Sequence, residues 1–255
     1  MVIQQESELK ISLRGTDSLI KVDSDEVVSR VASLLGGKKP KYWGRYFSGI
    51  DYTGTGEYFV DDENNILRKH GIRVLPVGRY TNRVGLGKSE GMQDGKNQAQ
   101  DFVFSFGEDY LSTQEDGEYY IFLDVEPSPP LSAEYYQGWA EGVQNISSKV
   151  KMLPCVYLNA SDSVTSSALN DAIKSGAPCH GLWIACYDCF NQPTLPQDIG
   201  FNPNLAKPET SVNAPVLLWQ YAGDIGPNTE FDFSISNPST SSTQLLRRLI
   251  LPQEV

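Results

Sequence analysis

The sequence predicts a single-domain, irregular (β/α)8 barrel of the TIM type spanning residues 1–255, and three observations predict it. Short apolar runs alternate with longer amphipathic ones, the pattern of βα units around a parallel sheet. Eight strand candidates fit into 255 residues, the usual size of such a barrel. No linker-like stretch divides the chain, and the first βα turn carries neither G-x-G-x-x-G nor a P-loop, which leaves a doubly wound nucleotide-binding sheet unsupported.

The first strand is LKISLRGTD (9–17). The following stretch, DSDEVVSRVASLLGG (23–37), begins with acids and serine and ends in glycines, so it reads as a helix. KYWGRYFSG (41–49) is the second strand, VDDENNILRKHG (60–71) the next helix, and IRVLPVGRY (72–80) the third strand. TNRVGLGKSEGMQDG (81–95) holds four glycines without P-loop spacing; it reads as a flexible loop over the barrel mouth, before a helix over 96–110. The fourth strand is YYIFLDV (119–125), followed by a helix over 131–147 with aromatics at helical spacing. MLPCVYLNA (152–160), a helix around 166–176, GLWIACYD (181–188), a long Pro/Asn loop and VLLWQYAGD (216–224) come next. FDFSI (231–235) and a closing helix over 241–251 complete the chain. The connections between the sixth and eighth strands are short of helix, so the barrel is expected to be irregular there.

Composition narrows the function. With 21 basic against 32 acidic residues the net charge is −11, which repels nucleic acid and anionic membrane. No window approaches a membrane span, and MVIQQESELK has no secretory-signal pattern. Cys155, Cys179, Cys186 and Cys189 cluster in the third quarter beside His180. A zinc site built on Cys186-x-x-Cys189 would want a second well-formed ligand pair, which is absent. The better reading makes Cys155 and Cys186 small buried strand residues, with Cys179 and Cys189 near strand ends, free or paired according to compartment. With only His70 and His180, a metal-dependent hydrolase is disfavoured. No cofactor is expected, and the chain reads as a monomer.

In such a barrel the strand C-termini form the active face. YYIFLDVEPSPP (119–130) ends its apolar run in two acids. Period-two alternation points Asp124 and Glu126 to one side, with Cα atoms about 6.5 to 7 Å apart. The other strand ends supply Asp17, Arg45 and Tyr46, Arg79 and Tyr80, Tyr157 and Asn159, Tyr187 and Asp188, Gln220 and Tyr221, and Asp232. Acids and aromatics around one mouth suit sugars, whose rings stack on aromatic faces and whose hydroxyls bind carboxylates and amides. Glycoside hydrolysis needs one protonated and one ionised carboxyl, a split that crowded acids supply. Glu126, with its longer side chain, is the candidate proton donor, and Asp124, set deeper, is expected to stay charged. Asp23 competes with Asp17 if the first strand is drawn as SLIKVD (18–23). Strand-end acids also cap helices or pair with arginine, the plainer reading of any single Asp-x-Glu.

Gly15-Thr16-Asp17, LDVE (123–126), VYLNAS (156–161), LWIACYD (182–188) and LWQYAGD (218–224) running on to FDFS (231–234) occur in an order that resembles the lysozyme-like glycoside hydrolases of family 25. GRYFSG and HGIRVLPVGRY add a closer resemblance to their glycoside-hydrolase-like relatives, domain of unknown function 1906. The resemblance implies an irregular β/α barrel acting on peptidoglycan or a related N-acetylated, β-linked glycan. It implies Glu126 as general acid, supported by Asp124, Asp17 and Asp232, and a glycan groove including Tyr157, Trp219, Gln220 and Tyr221. Four features depart from that pattern, among them the Gly-rich loop and the insertion over 189–214. The last acid lies in Phe231-Asp232-Phe233 rather than Asp-x-Asn, and Arg45 and Arg79 bring positive charge towards the mouth, which would hold an acid ionised. The alternative is a barrel that binds carbohydrate or cell envelope without efficient catalysis.

Overall fold

The computed structural model describes residues 12–50, 54, 56–79, 82–190, 210–240 and 242–255. Eight strands close into a barrel in chain order. They are β1 (Arg14–Asp17), β2 (Tyr42–Phe47), β3 (Arg73–Gly78), β4 (Glu118–Val125), β5 (Lys151–Asn159), β6 (Leu182–Ala185), β7 (Val216–Ile225) and β8 (Phe231–Ser236). The helices are α1 (Asp25–Leu34), α2 (Val60–His70), α3 (Lys88–Phe106), α4 (Glu108–Thr113), α5 (Ala133–Gln144), α6 (Ser163–Lys174) and α7 (Ser242–Arg247).

Neighbouring strands are parallel from β1 through β7, whereas β8 runs antiparallel to both β7 and β1. The expected irregularity is this reversal. β7 and β8 are joined by a five-residue turn, too short for the crossover that a parallel pair needs.

Period-two alternation divides the core. Tyr42, Leu75, Val77, Tyr120, Phe122, Leu153, Cys155, Trp183 and Leu218 pack together inside the barrel, with Leu245 and Leu249 from the chain's last stretch. Their neighbours in sequence, among them Trp43, Val74, Ile121, Leu123, Val156 and Ile184, face the helices. Ile250 bridges Val74 of β3.

The segment read as a flexible loop is largely helix, because α3 begins at Lys88. Gly91 and Gly95 on α3 interlock with Gly138 and Gly142 on α5. A Cβ at Gly138 would stand 1.9 Å from the Lys88 carbonyl oxygen, and one at Gly91 would stand 2.0 Å from that of Tyr135. The glycines that suggested a loop are therefore what lets two helix backbones touch. Trp139 Nε1 donates to Gln98 Oε1 at 2.7 Å, and the Gln98 amide donates to the carbonyl of Arg79, tying this seam to the end of β3.

Cys186 is not a strand residue. It lies just past β6 and forms a disulfide with Cys189, while Cys155 and Cys179 are free thiols. Among the described residues, no group of three or more His, Cys, Asp or Glu is arranged to hold a metal ion, and no helix is long and apolar enough to cross a membrane.

Candidate active site

The mouth of the barrel holds a cavity of about 480 Å³. Asp17 ends β1, Asp124 is the penultimate residue of β4, Glu126 follows that strand, and Asp232 is the second residue of β8; all four line the cavity. Asp124 and Glu126 share it because their spacing puts them on one face of β4. Asp17 and Asp232 meet for a different reason, being register partners across the antiparallel β1–β8 pair. Gly44, opposite Asp17 on β2, makes room: a Cβ there would lie 2.6 Å from Asp17 Cβ.

A smaller recess continues inward, lined by Tyr157, Trp183 and Gln220 together with the acids. Gln220 Nε2 donates to Asp17 Oδ1 at 3.1 Å and to Asp232 Oδ2 at 3.4 Å. Its Oε1 accepts from Tyr157 at 2.7 Å and from Tyr187 at 2.9 Å. Tyr46 donates to Asp17 Oδ2 at 3.4 Å, and the Asp224 backbone N–H to Asp232 Oδ1 at 2.8 Å.

Burial and crowding make the cluster retain protons. Asp17 is pushed well above the usual carboxylate range by burial and then by the charge of Asp232, against a smaller opposing pull from the Gln220 hydrogen bond. Asp124 rises to about 7, through burial first and the Glu126 charge second, with Arg79 opposing. Asp232 rises to about 6, chiefly by burial. Glu126 is raised by burial and is the least enclosed of the four. Burial works against the expectation that Asp124 stays charged: its depth outweighs the favourable charge of Arg79, and at about 7 both its protonated and its ionised forms are populated at neutral pH.

The structure brings together Glu126, Asp124, Asp17, Asp232, Tyr46, Tyr157 and Gln220. It separates the other candidates from them. Arg45 lies on the helix-facing side of β2, wholly buried against Glu63 of α2 at 2.7 Å, and donates to the Glu57 and Ser18 carbonyls. Trp219 and Tyr221 flank Gln220 and so point to the opposite side, into the outer core. Asn159 accepts from Ser161 N at 2.9 Å and Ser161 Oγ at 2.7 Å, holding its own turn. Asp188 is exposed on a 3₁₀ turn, and Asp23 is exposed outside the strand, which leaves Asp17 as the cavity acid of β1. Tyr80 lies outside the described residues.

Arg79 lines the wall, with its guanidinium 4.9 Å from the Tyr46 ring centroid. Asp224 and Glu230, which sequence reasoning passed over, line it from either side of the β7–β8 turn. A five-residue turn between two strands whose other acid was already suspected was the signal available for them.

No family model matches the chain, and no curated protein matches it. Among solved structures, a 1.07 Å crystal structure of an uncharacterized B. stearothermophilus protein is 22% identical with a TM-score of 0.68, covering 93% of this chain and 100% of that one. The Clostridium perfringens spore cortex lytic enzyme SleM is 15% identical with a TM-score of 0.51, covering 91% of this chain and 69% of that one. A family 25 glycosyl hydrolase from Bacillus anthracis is 14% identical with a TM-score of 0.49, covering 93% and 94% respectively. The first two establish that the barrel architecture is shared.

Proposed function

We propose that the chain is a glycoside hydrolase-like barrel that cleaves peptidoglycan or a related N-acetylated, β-linked glycan, with Glu126 as general acid. One observation carries the reading: four carboxyls from three strands, far apart in sequence, line a single cavity large enough for a sugar. Glu126, the least buried, is the carboxyl that a glycosidic oxygen entering the mouth meets first. Asp124 beside it rises to about 7 by burial and by the Glu126 charge, and burial raises Glu126 itself. Asp232, at about 6 and so largely ionised at neutral pH, supplies negative charge beneath the ring, where positive charge develops as the bond breaks, with Asp17 as its partner across the strands. The barrel is also one that a spore cortex lytic enzyme uses, which is consistent with a cell-wall substrate.

The test is release of reducing ends from purified peptidoglycan. Wild type is expected to release them, and Glu126→Gln to lose at least about 10²-fold in rate; equal rates in the two proteins reject the assignment. A binding-only barrel is the second reading, favoured by Arg79, which lowers the pKa of Asp124 and so favours its ionised form. It predicts that wild type and Glu126→Gln sediment with insoluble glycan equally while neither releases reducing ends.

A further inference from the structure

Asp17 and Asp232 face each other across β1 and β8, and one side chain, Gln220, donates to both. That amide has two possible orientations. In the observed one, its oxygen accepts from two phenols and its nitrogen meets two acids. Turned over, the carbonyl oxygen would confront the acids and the amide hydrogens two hydroxyls that can accept as well as donate, so the acids select the orientation and the two phenols hold the amide in it.

The two phenols are held differently. Tyr157 sits within β5, paired to Asp124 on one side and Trp183 on the other. Tyr187 lies beyond the end of β6, where the strand ladder no longer fixes it. It is bracketed by the Cys186–Cys189 disulfide, whose Cα atoms are 5.4 Å apart. The Cys186 N–H donates to the backbone carbonyl of Gln220 at 3.0 Å. The Tyr187 ring lies against Gly223 of β7, where a Cβ would stand 2.6 Å from its hydroxyl.

We propose that Tyr187, clamped by the Cys186–Cys189 disulfide and seated against Gly223, is a positioning residue that fixes the Gln220 amide and through it the charge balance of the Asp17–Asp232 pair. Its catalytic consequence rests on the glycosidase reading; its electrostatic consequence does not. The Gln220 hydrogen bond holds the Asp17 pKa down, so loosening Gln220 raises it.

The experiment follows the side-chain carboxyl ¹³C signals of Asp17 and Asp232 through a pH titration in wild type, Tyr187→Phe and Cys186→Ser/Cys189→Ser. Both variants are expected to titrate about half to one pH unit higher than wild type. Adding Tyr187→Phe to the cysteine pair is expected to shift them no further, since both changes act through one hydroxyl. On peptidoglycan, kcat is expected to fall about tenfold with KM within about twofold of wild type. Titrations that superimpose in Tyr187→Phe and wild type overturn the proposal, and this variant keeps the whole ring should the cysteine pair fold poorly. If no protein turns over substrate but the titrations shift, the positioning role stands and the glycosidase reading falls.

Discussion

Glycine does opposite work in two parts of the molecule. In the α3–α5 seam, the missing Cβ atoms would strike backbone: Gly95 faces the Trp139 carbonyl at 2.3 Å and Gly142 that of Met92 at 2.3 Å. At the mouth, Gly44 and Gly223 make room for side chains, those of Asp17 and Tyr187. A helix backbone cannot step aside without opening the pair of helices, and the Asp17 Cβ that faces Gly44 moves only with its strand, whereas the Tyr187 ring at Gly223 can turn away. The glycines of the seam and Gly44 therefore protect folding, and Gly223 protects geometry.

The contrast breaks most visibly at Gly138→Ala. With the Lys88 oxygen only 1.9 Å from the new methyl, overpacking is expected to cost about 3 kcal/mol or more, lowering the melting temperature by roughly 10 °C. The pH profile of the variant should match wild type, which calorimetry and activity at several pH values would check.

Next in size is Gly223→Ala. The Tyr187 hydroxyl, 2.6 Å from the new methyl, can turn away, so the expected cost is about tenfold in kcat, roughly 1.4 kcal/mol of barrier, with a stability loss near 1 kcal/mol. A melting point that falls as far as that of Gly138→Ala would erase the distinction.

The mouth also buries its charges, whereas the Lys88–Glu141 ion pair that spans the seam is exposed. The Asp124 pKa rises from 3.8 to about 7 on folding, so the native state binds the proton more tightly than the unfolded chain. Its stabilisation is complete below about pH 4 and drains away as pH climbs towards 7. A rise of that size corresponds at most to about 4 kcal/mol, and water at the mouth brings it nearer 2. Asp124→Asn should flatten this part of the pH dependence in denaturant titrations and be more stable than wild type at pH 7 while less active.

The smallest effect belongs to Gly71, which closes α2 at φ 64° with nothing within 4 Å of its missing Cβ. Gly71→Ala should cost about 1 kcal/mol through backbone strain alone and leave turnover untouched.

The strand count, strand order and meeting of Asp17, Asp124, Glu126 and Asp232 were legible in the sequence, because alternation and strand-end position carry that information. Facing was legible too and went unused. Arg45 cannot share a side with Tyr46, nor Trp219 and Tyr221 with Gln220, since adjacent strand residues alternate. Strand direction was not legible from FDFSI, as period two is the same in both senses; only the short turn before it carried the hint. The helical start of α3 was masked because local rules count glycine as a breaker. Its meaning appears only when the four-residue spacing at 91 and 95 is matched with that at 138 and 142.

Because β8 runs backwards, the chain leaves it at the end of the barrel opposite the acids. Leu245 and Leu249 then tuck in among Tyr42, Leu75 and Phe122, corking the barrel from below. The cavity is consequently closed at its floor, and whatever reaches the acids enters and leaves by the single opening at the mouth.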